Sequence, residues 1–309
     1  MTKQIMVGGV PIGGGAPVTI QSMTNTRTDD VEATLHQIRT LAAAGCEIIR
    51  VAVPDMAAAK AVGKIKEESP IPVVVDIHFD YKLALEAIAA GADKVRINPG
   101  NIGGADHVKA VAQACARRGV PIRIGVNGGS LEKPLLAKYG GVCPEAMVES
   151  AFGHIRLLNQ FDFDDICVSL KSSSVPMTMK AYRLMSQASD YPLHIGVTEA
   201  GTVRMGTLKS AVGIGGLLAL GIGDTMRVSL SADPVEEVYA AKEILKAAGV
   251  RKEGAELVSC PTCGRTRIDL IALANEVEER LKAVDKPITV AVMGCVVNGP
   301  GEASAADCG

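Results

Sequence analysis

Four of the eight cysteines, Cys260, Cys263, Cys295 and Cys308, fall in the last 50 of the 309 residues. Cys260-Pro-Thr-Cys263 sets two thiolates at the spacing that grips one metal. Thirty-one residues separate Cys263 from Cys295, and no second Cys-x-x-Cys pair completes a zinc ribbon. The turn after Cys295, Val-Val-Asn-Gly-Pro-Gly-Glu302, can bring a carboxylate back beside the thiolate. Three thiolates and one oxygen donor suit a [4Fe–4S] cluster with an exchangeable corner better than structural zinc. Cys308 competes as fourth ligand, and chemistry alone would prefer it. Cys46, Cys115, Cys143 and Cys167 are scattered through apolar segments and are expected to be small buried hydrophobes.

A second chemical signal is cationic. Short Val/Ile-rich runs recur along the chain, and their C-terminal ends carry Gln21 and Ser22, Arg50, Asp76 and His78, Arg96 and Asn98, Arg123 and Asn127, Lys171 and Ser172, Glu199, and Arg227 and Ser229. Four arginines and one lysine converging on one rim are costly unless met by anions. Asp76 and Glu199 are the carboxylates placed opposite them, leaving an excess of about three positive charges. A compact polyanion such as a diphosphate matches that excess, and the arginine fork suits phosphate oxygens. His78 lies two residues after Asp76 on a strand and so shares its side.

The elements that must position these residues follow from periodicity. Eight runs (VTIQSMT, EIIRVAV, PVVVDIHF, KVRINPG, PIRIGVN, DICVSLKS, LHIGVTE and MRVSLS) alternate with Ala-rich helical stretches. Near-continuous β-branched content means strands covered on both faces. Asp29 is expected to cap the first helix, with Val31, Leu35, Ile38 and Leu41 on one face. Asp233-Pro234 opens the last barrel helix, with Val235, Val238, Tyr239, Ile244 and Leu245 inward. Strand–helix alternation with right-handed crossovers predicts a (β/α)8 TIM barrel over residues 1–250. An open eight-stranded sheet is the alternative. The Gly-rich opening, 7–15, is read as a hairpin capping the barrel floor. Residues 251–309 form a small α/β domain with a helix over about 268–283, too small to bury much core alone.

Composition sets the outer limits. Lys and Arg number 32 against 34 Asp and Glu, for a net charge of −2, and aromatics are 3% with no Trp. That excludes broad nucleic-acid binding by backbone charge or base stacking. The longest apolar region, 211–222, is broken by four glycines and falls short of a membrane span. The N-terminus carries neither the basic nor the apolar region of a secretory signal, so a cytoplasmic protein is expected.

On these residues the chain resembles the bacterial-type 4-hydroxy-3-methylbut-2-enyl-diphosphate synthases of the non-mevalonate (MEP) isoprenoid pathway. The resemblance is carried by IGGGAPVTIQSMTNT, IIRVAVP, DIHFD, VRINPGN, IRIGVNGGSL, SLKSS, HIGVTEAG, GIGDTMRVSLS, SCPTCGRTRIDL and VAVMGCVVNGPGEA, in order over nearly the whole chain. It implies a [4Fe–4S] cluster on Cys260, Cys263, Cys295 and Glu302, rather than Cys308. It also implies a substrate, 2-C-methyl-D-erythritol 2,4-cyclodiphosphate, held by Arg50, His78, Arg96, Asn98, Arg123, Asn127, Lys171, Arg227 and Ser229. Asp76 and Glu199 would be the nearby catalytic carboxylates. The implied reaction is a two-electron reductive dehydroxylation with ring opening, fed by flavodoxin or ferredoxin. Members of the family continue past the position of Gly309 into a further strand and helix, so the small domain is expected to lack its last elements.

Connectivity adds one expectation. The last barrel helix returns to the floor, so the small domain starts a strand length plus loops, on the order of 25 to 35 Å, from its own barrel mouth. A head-to-tail homodimer, each small domain closing over the partner's barrel, is predicted. The rival enzymatic reading is a pterin-binding-type barrel transferase with a structural zinc; the rival from another class is a zinc-bound interaction module on an inactive barrel.

Overall fold

The computed structural model describes residues 1–309 apart from Pro99, Glu253, Lys282, Asp285, Asn298 and the side chain of Glu302. It divides into two compact units, Met1–Val250 and Arg251–Gly309.

In the first unit, eight parallel strands run β3 (Thr19–Met23), β4 (Ile48–Ala52), β5 (Val73–Asp76), β6 (Lys94–Ile97), β7 (Ile122–Asn127), β8 (Ile166–Lys171), β9 (His194–Ile195) and β10 (Thr225–Met226). Their spatial order is β8-β7-β6-β5-β4-β3-β10-β9. A parallel bridge between Val168 and Leu193 joins the two ends, with the Val168 N–H donating to Pro192 O at 2.9 Å. The barrel is therefore closed, and the open-sheet alternative is excluded. Strands β9 and β10 are only two residues long, shorter than their apolar runs.

Between the strands lie α1 (Val31–Ala44), α2 (Met56–Glu68), α3 (Tyr81–Ala89), α4 (Ala105–Arg118), α5 (Lys133–Tyr139), α6 (Pro144–Asn159), α7 (Val175–Ala188), α8 (Val203–Ser210), α9 (Gly216–Leu218) and α10 (Pro234–Ala247). Side-chain caps start several of them: Asp55 on α2, Asp80 on α3, Ser174 on α7 and Asp233 on α10 accept from first-turn N–H groups. On α1 the cap is Asp30, one residue later than the pattern predicts, because Asp29 is taken by a surface ion pair with Arg27. Leu35, Ile38 and Leu41 face inward as expected, whereas Tyr239 on α10 is half exposed.

Alternation along each strand sorts two faces. Ile20, Ile49, Val51, Val75, Val95, Ile97, Ile122, Ile124, Ile195 and Met226 pack outward under the helices. Their neighbours face the lumen. The N-terminal hairpin, β1 (Ile5–Val7) with β2 (Val10–Ile12), packs Ile5, Val7 and Ile12 on Ile48, Val74 and Cys167 and plugs the floor. Val250 lines a cleft with Met1, Gly15, Leu193 and Asp224, so the chain leaves this unit on the floor side.

The second unit pairs β11 (Glu256–Ser259) with β12 (Thr289–Val292) in parallel, with α11 (Leu270–Leu281) as the crossover. A short helix, α12 (Gly299–Ala303), follows, and the chain returns to bridge Cys308 to Val290. Among the described residues no helix is long and apolar enough to cross a membrane.

Candidate active site

The barrel mouth gathers the cations at the strand ends. Asp76, at the end of β5, is their hub: it accepts from Arg96 Nη1 at 2.9 Å and lies 3.5 Å from Arg50 Nε. Burial would raise this carboxyl, but Arg50, Arg96 and Arg123 overcome that and hold it at about 2. Arg50 also lays its guanidinium on Met23 Sδ, at 2.9 and 3.2 Å. Arg123 is deeper, 1% exposed, with Nε and Nη1 unpartnered. Its value falls to about 10 through burial first and Arg96 second. Burial and neighbouring cations likewise push Lys171 well below the usual amine value. Each shift comes first from burial, with the neighbouring cations adding to it.

Two glycines make this crowding possible. A Cβ on Gly125 of β7 would stand 2.5 Å from Arg96 Nε and 2.8 Å from Nη2. A Cβ on Gly196, just past β9, would meet Lys171 Nζ and the Arg227 carbonyl, each at 2.8 Å. Only a residue without a side chain leaves the guanidinium and the ammonium those seats.

Arg227 has a partner the sequence reading missed. Glu237 on α10 accepts from Arg227 Nε and Nη2, both at 3.1 Å, and also from Ser22 Oγ and the Leu230 N–H. Helical spacing held the signal: Glu237 shares the buried stripe of Ala241 and Ile244. Glu199, expected as a counter-charge, is exposed and pairs with no cation among the described residues. It sits at φ 51°, a left-handed backbone that costs a glutamate roughly 1–2 kcal/mol. Five cations thus face the two buried carboxylates Asp76 and Glu237, and the positive excess stands.

Other expected residues line the rim. His78 is 60% exposed with Nε2 3.8 Å from Asp76. Asn98 is buried, accepting from the Gly100 N–H at 3.1 Å. Asn127 and Ser229 are half-buried. Behind Gly100, His154 Nε2 meets Glu132 Oε1 at 2.9 Å, and Ser150 Oγ donates to the same oxygen at 3.0 Å. This triad of buttressing side chains, to which sequence reasoning gave no role, ties α6 to the loop after β7.

In the second unit Cys260 and Cys295 share one edge. Cys260 follows β11, its N–H donating to Val292 O at 3.0 Å, and Cys295 lies just past β12. The Arg267 N–H donates to Gly294 O at 3.1 Å, tying the two turns together. The Arg265 N–H and then the Thr266 hydroxyl favour the Cys263 thiolate and lower its value. Cys260 Sγ is turned to Pro261 O at 3.3 Å, and Cys263 is exposed. Among the described residues no three thiol, imidazole or carboxylate groups converge as ligands of one ion. The Glu302 side chain lies outside the described residues. Cys308 is fixed at the level of Val290, on the order of 10 Å along the strands from the edge bearing Cys260.

Against known families, residues 2–242 match the GcpE TIM-barrel domain and residues 256–309 the GcpE protein C-terminal domain. The chain belongs to the GcpE family. A relative from Geobacter sulfurreducens, 4-hydroxy-3-methylbut-2-en-1-yl diphosphate synthase (flavodoxin), is 64% identical over 308 residues, covering 100% of this chain and 87% of its own. A synthase of the same name from Caldanaerobacter subterraneus subsp. tengcongensis is 60% identical over 309 residues, with the same coverage. Among solved structures, Yersinia pestis dihydropteroate synthase aligns at TM-score 0.54 and 13% identity, over 81% of this chain and 100% of that one. N-acetylneuraminic acid synthetase from Leptospira borgpetersenii aligns at TM-score 0.57 and 14% identity, over 91% and 97%. At such identity these two speak to the barrel fold alone, and the pterin-transferase reading gains nothing further from them.

Proposed function

We propose that this GcpE-family chain is an oxidoreductase that opens 2-C-methyl-D-erythritol 2,4-cyclodiphosphate reductively to 4-hydroxy-3-methylbut-2-enyl diphosphate, with reduced flavodoxin or ferredoxin as electron source. The observation that carries the reading is the buried excess of cations at the mouth. Arg50, Arg96, Arg123 and Lys171 are set to receive the diphosphate, and Arg227, braced by Glu237, closes that side. His78, Asn98, Asn127 and Ser229 would position the sugar carbons and hydroxyls. As the ring opens, negative charge appears on a phosphate oxygen, and guanidinium groups already in place stabilise it without reorganising. Asp76 remains a carboxylate, fixed between Arg50 and Arg96, and orients them. Glu199, exposed and unpaired on its strained turn, is the carboxylate free to carry a proton to the departing hydroxyl.

Reduction needs a group that side chains do not supply. The thiols of Cys260, Cys263 and Cys295, with Glu302, fit a [4Fe–4S] cluster by donor chemistry, and the Arg265 N–H and Thr266 hydroxyl already favour a thiolate at Cys263. Such a cluster, when bound, supplies single electrons and an exchangeable site for oxygen. Since the chain leaves the barrel on the floor side at Val250, we read the working form as a head-to-tail homodimer. The test is binding of the cyclic diphosphate by titration calorimetry to the full-length chain and to Lys171→Met and Arg50→Ala. Each substitution should weaken binding about 30-fold or more, the loss expected for a charged partner. Equal affinity in all three would overturn the assignment of the mouth.

A further inference from the structure

Below the mouth, the barrel interior departs from the usual apolar filling. Thr19, Gln21, Lys94, His194 and Thr225 face the lumen, because Ile20, Val95, Ile195 and Met226 beside them pack outward. All five are buried, with Lys94 0% exposed. Thr225 is the register partner of both Thr19 and His194, so these three neighbour one another across adjacent strands. Thr19 Oγ1, both amide atoms of Gln21, Lys94 Nζ, both His194 ring nitrogens and Thr225 Oγ1 have no hydrogen-bond partner in the protein. Arg123 Nε and Nη1 are unpartnered in the same interior.

Buried polar groups are almost always satisfied, so seven orphaned atoms lining one lumen mark a place for something else. The floor beneath is sealed by Ile5, Val7 and Ile12 on Ile48, Val74 and Cys167. Access is therefore from the mouth. The charge of the layer is one-sided. Burial lowers Lys94 to about 8, and an anion beside it would hold the amine protonated. Burial, and then Arg123, Lys171, Lys94 and Arg50, push His194 well below its ordinary value and keep it neutral. The Cys167 thiol is raised by burial and stays uncharged. Asp76 is committed to Arg50 and Arg96, and Glu237 to Arg227. No carboxylate among the described residues is left for Lys94.

We propose that this layer is a second anion site, for a single halide-sized monovalent anion held by Lys94 Nζ, the Thr19 and Thr225 hydroxyls and the Gln21 amide N–H, beneath the diphosphate mouth. Water would satisfy the dipoles, but it leaves the buried ammonium without a counter-charge, which is costly. A halide accepts from every donor in the layer and needs no donor of its own. The site stands whatever reaction the mouth performs.

The test is diffraction from crystals of the full-length protein grown in sodium bromide, read at the bromine absorption edge. An anomalous peak in contact with Lys94 Nζ is expected. Bromide found only among the mouth arginines, or nowhere in the lumen, overturns the proposal. In solution, sodium chloride should raise the melting temperature of the wild type by several degrees over sodium gluconate at equal ionic strength, and Lys94→Met should lose most of that rise. An undiminished chloride effect in the variant also overturns it. If Lys94→Met does not fold, the bromide experiment on the wild type decides alone.

Discussion

Replacing Asp76 by Asn tests the electrostatic logic of the mouth. Asp76 sits at about 2, against an ordinary carboxylate near 3.9, a difference worth about 2.5 kcal/mol of stability. The folded value is depressed, so this contribution is fully present above the unfolded value and is lost as pH falls. About half of it should be gone by pH 3. At pH 7 the substitution also leaves Arg50 and Arg96 buried without their shared counter-ion, which brings the total cost to about 3–5 kcal/mol. For a barrel unit of this size that is a fall in melting temperature of about 6–20 °C. Melting curves of wild type and Asp76→Asn between pH 7 and pH 3 measure it, and the gap should narrow toward the acid end. Inorganic pyrophosphate should restore part of the loss at pH 7. A gap under about 2 °C at pH 7, or one that stays constant with pH, would refute the assignment of Asp76 as hub.

Further outcomes follow from the same geometry. Gly125→Ala puts a methyl 2.5 Å from Arg96 Nε, so it should raise KM for the cyclic diphosphate about 10-fold or more while circular dichroism stays unchanged. Glu237→Gln unpins Arg227 and should cost about 2–4 kcal/mol in chemical denaturation, with the Arg227→Met/Glu237→Gln double variant recovering part of it. Mixed dimers of Arg123→Ala and Cys263→Ser chains should regain activity that neither homodimer shows; confirmed mixed dimers without activity would dismiss the head-to-tail arrangement.

The barrel was legible in the sequence because covered parallel strands leave a simple trace. Ile48, Ile49 and Val51, or Val73 to Val75, are β-branched on both faces and recur at regular intervals. The cationic rim was legible for the same reason, since Arg50, Arg96, Arg123 and Lys171 each interrupt such a run. What escaped was pairing across the fold. Glu237 reads as one of two glutamates opening a surface helix until α10 is wrapped against β3 and β10. Lys94 reads as the first residue of a strand, and only barrel closure puts its amine in the lumen with Thr19 and His194. The shift of the first cap from Asp29 to Asp30 has a local cause, the Arg27 ion pair, that spacing rules do not weigh. In the second unit the Cys-x-x-Cys turn was plain, whereas the position of Cys308 depends on the chain returning to β12.

Anaerobic turnover tests the cationic mouth and the cysteine cluster together. Protein purified without air should be brown, carry iron and sulfide in equal amounts, and convert 2-C-methyl-D-erythritol 2,4-cyclodiphosphate to 4-hydroxy-3-methylbut-2-enyl diphosphate when reduced flavodoxin is supplied. Colourless protein with zinc on Cys260 and Cys263, or iron-loaded protein that leaves the cyclic diphosphate intact, would contradict it.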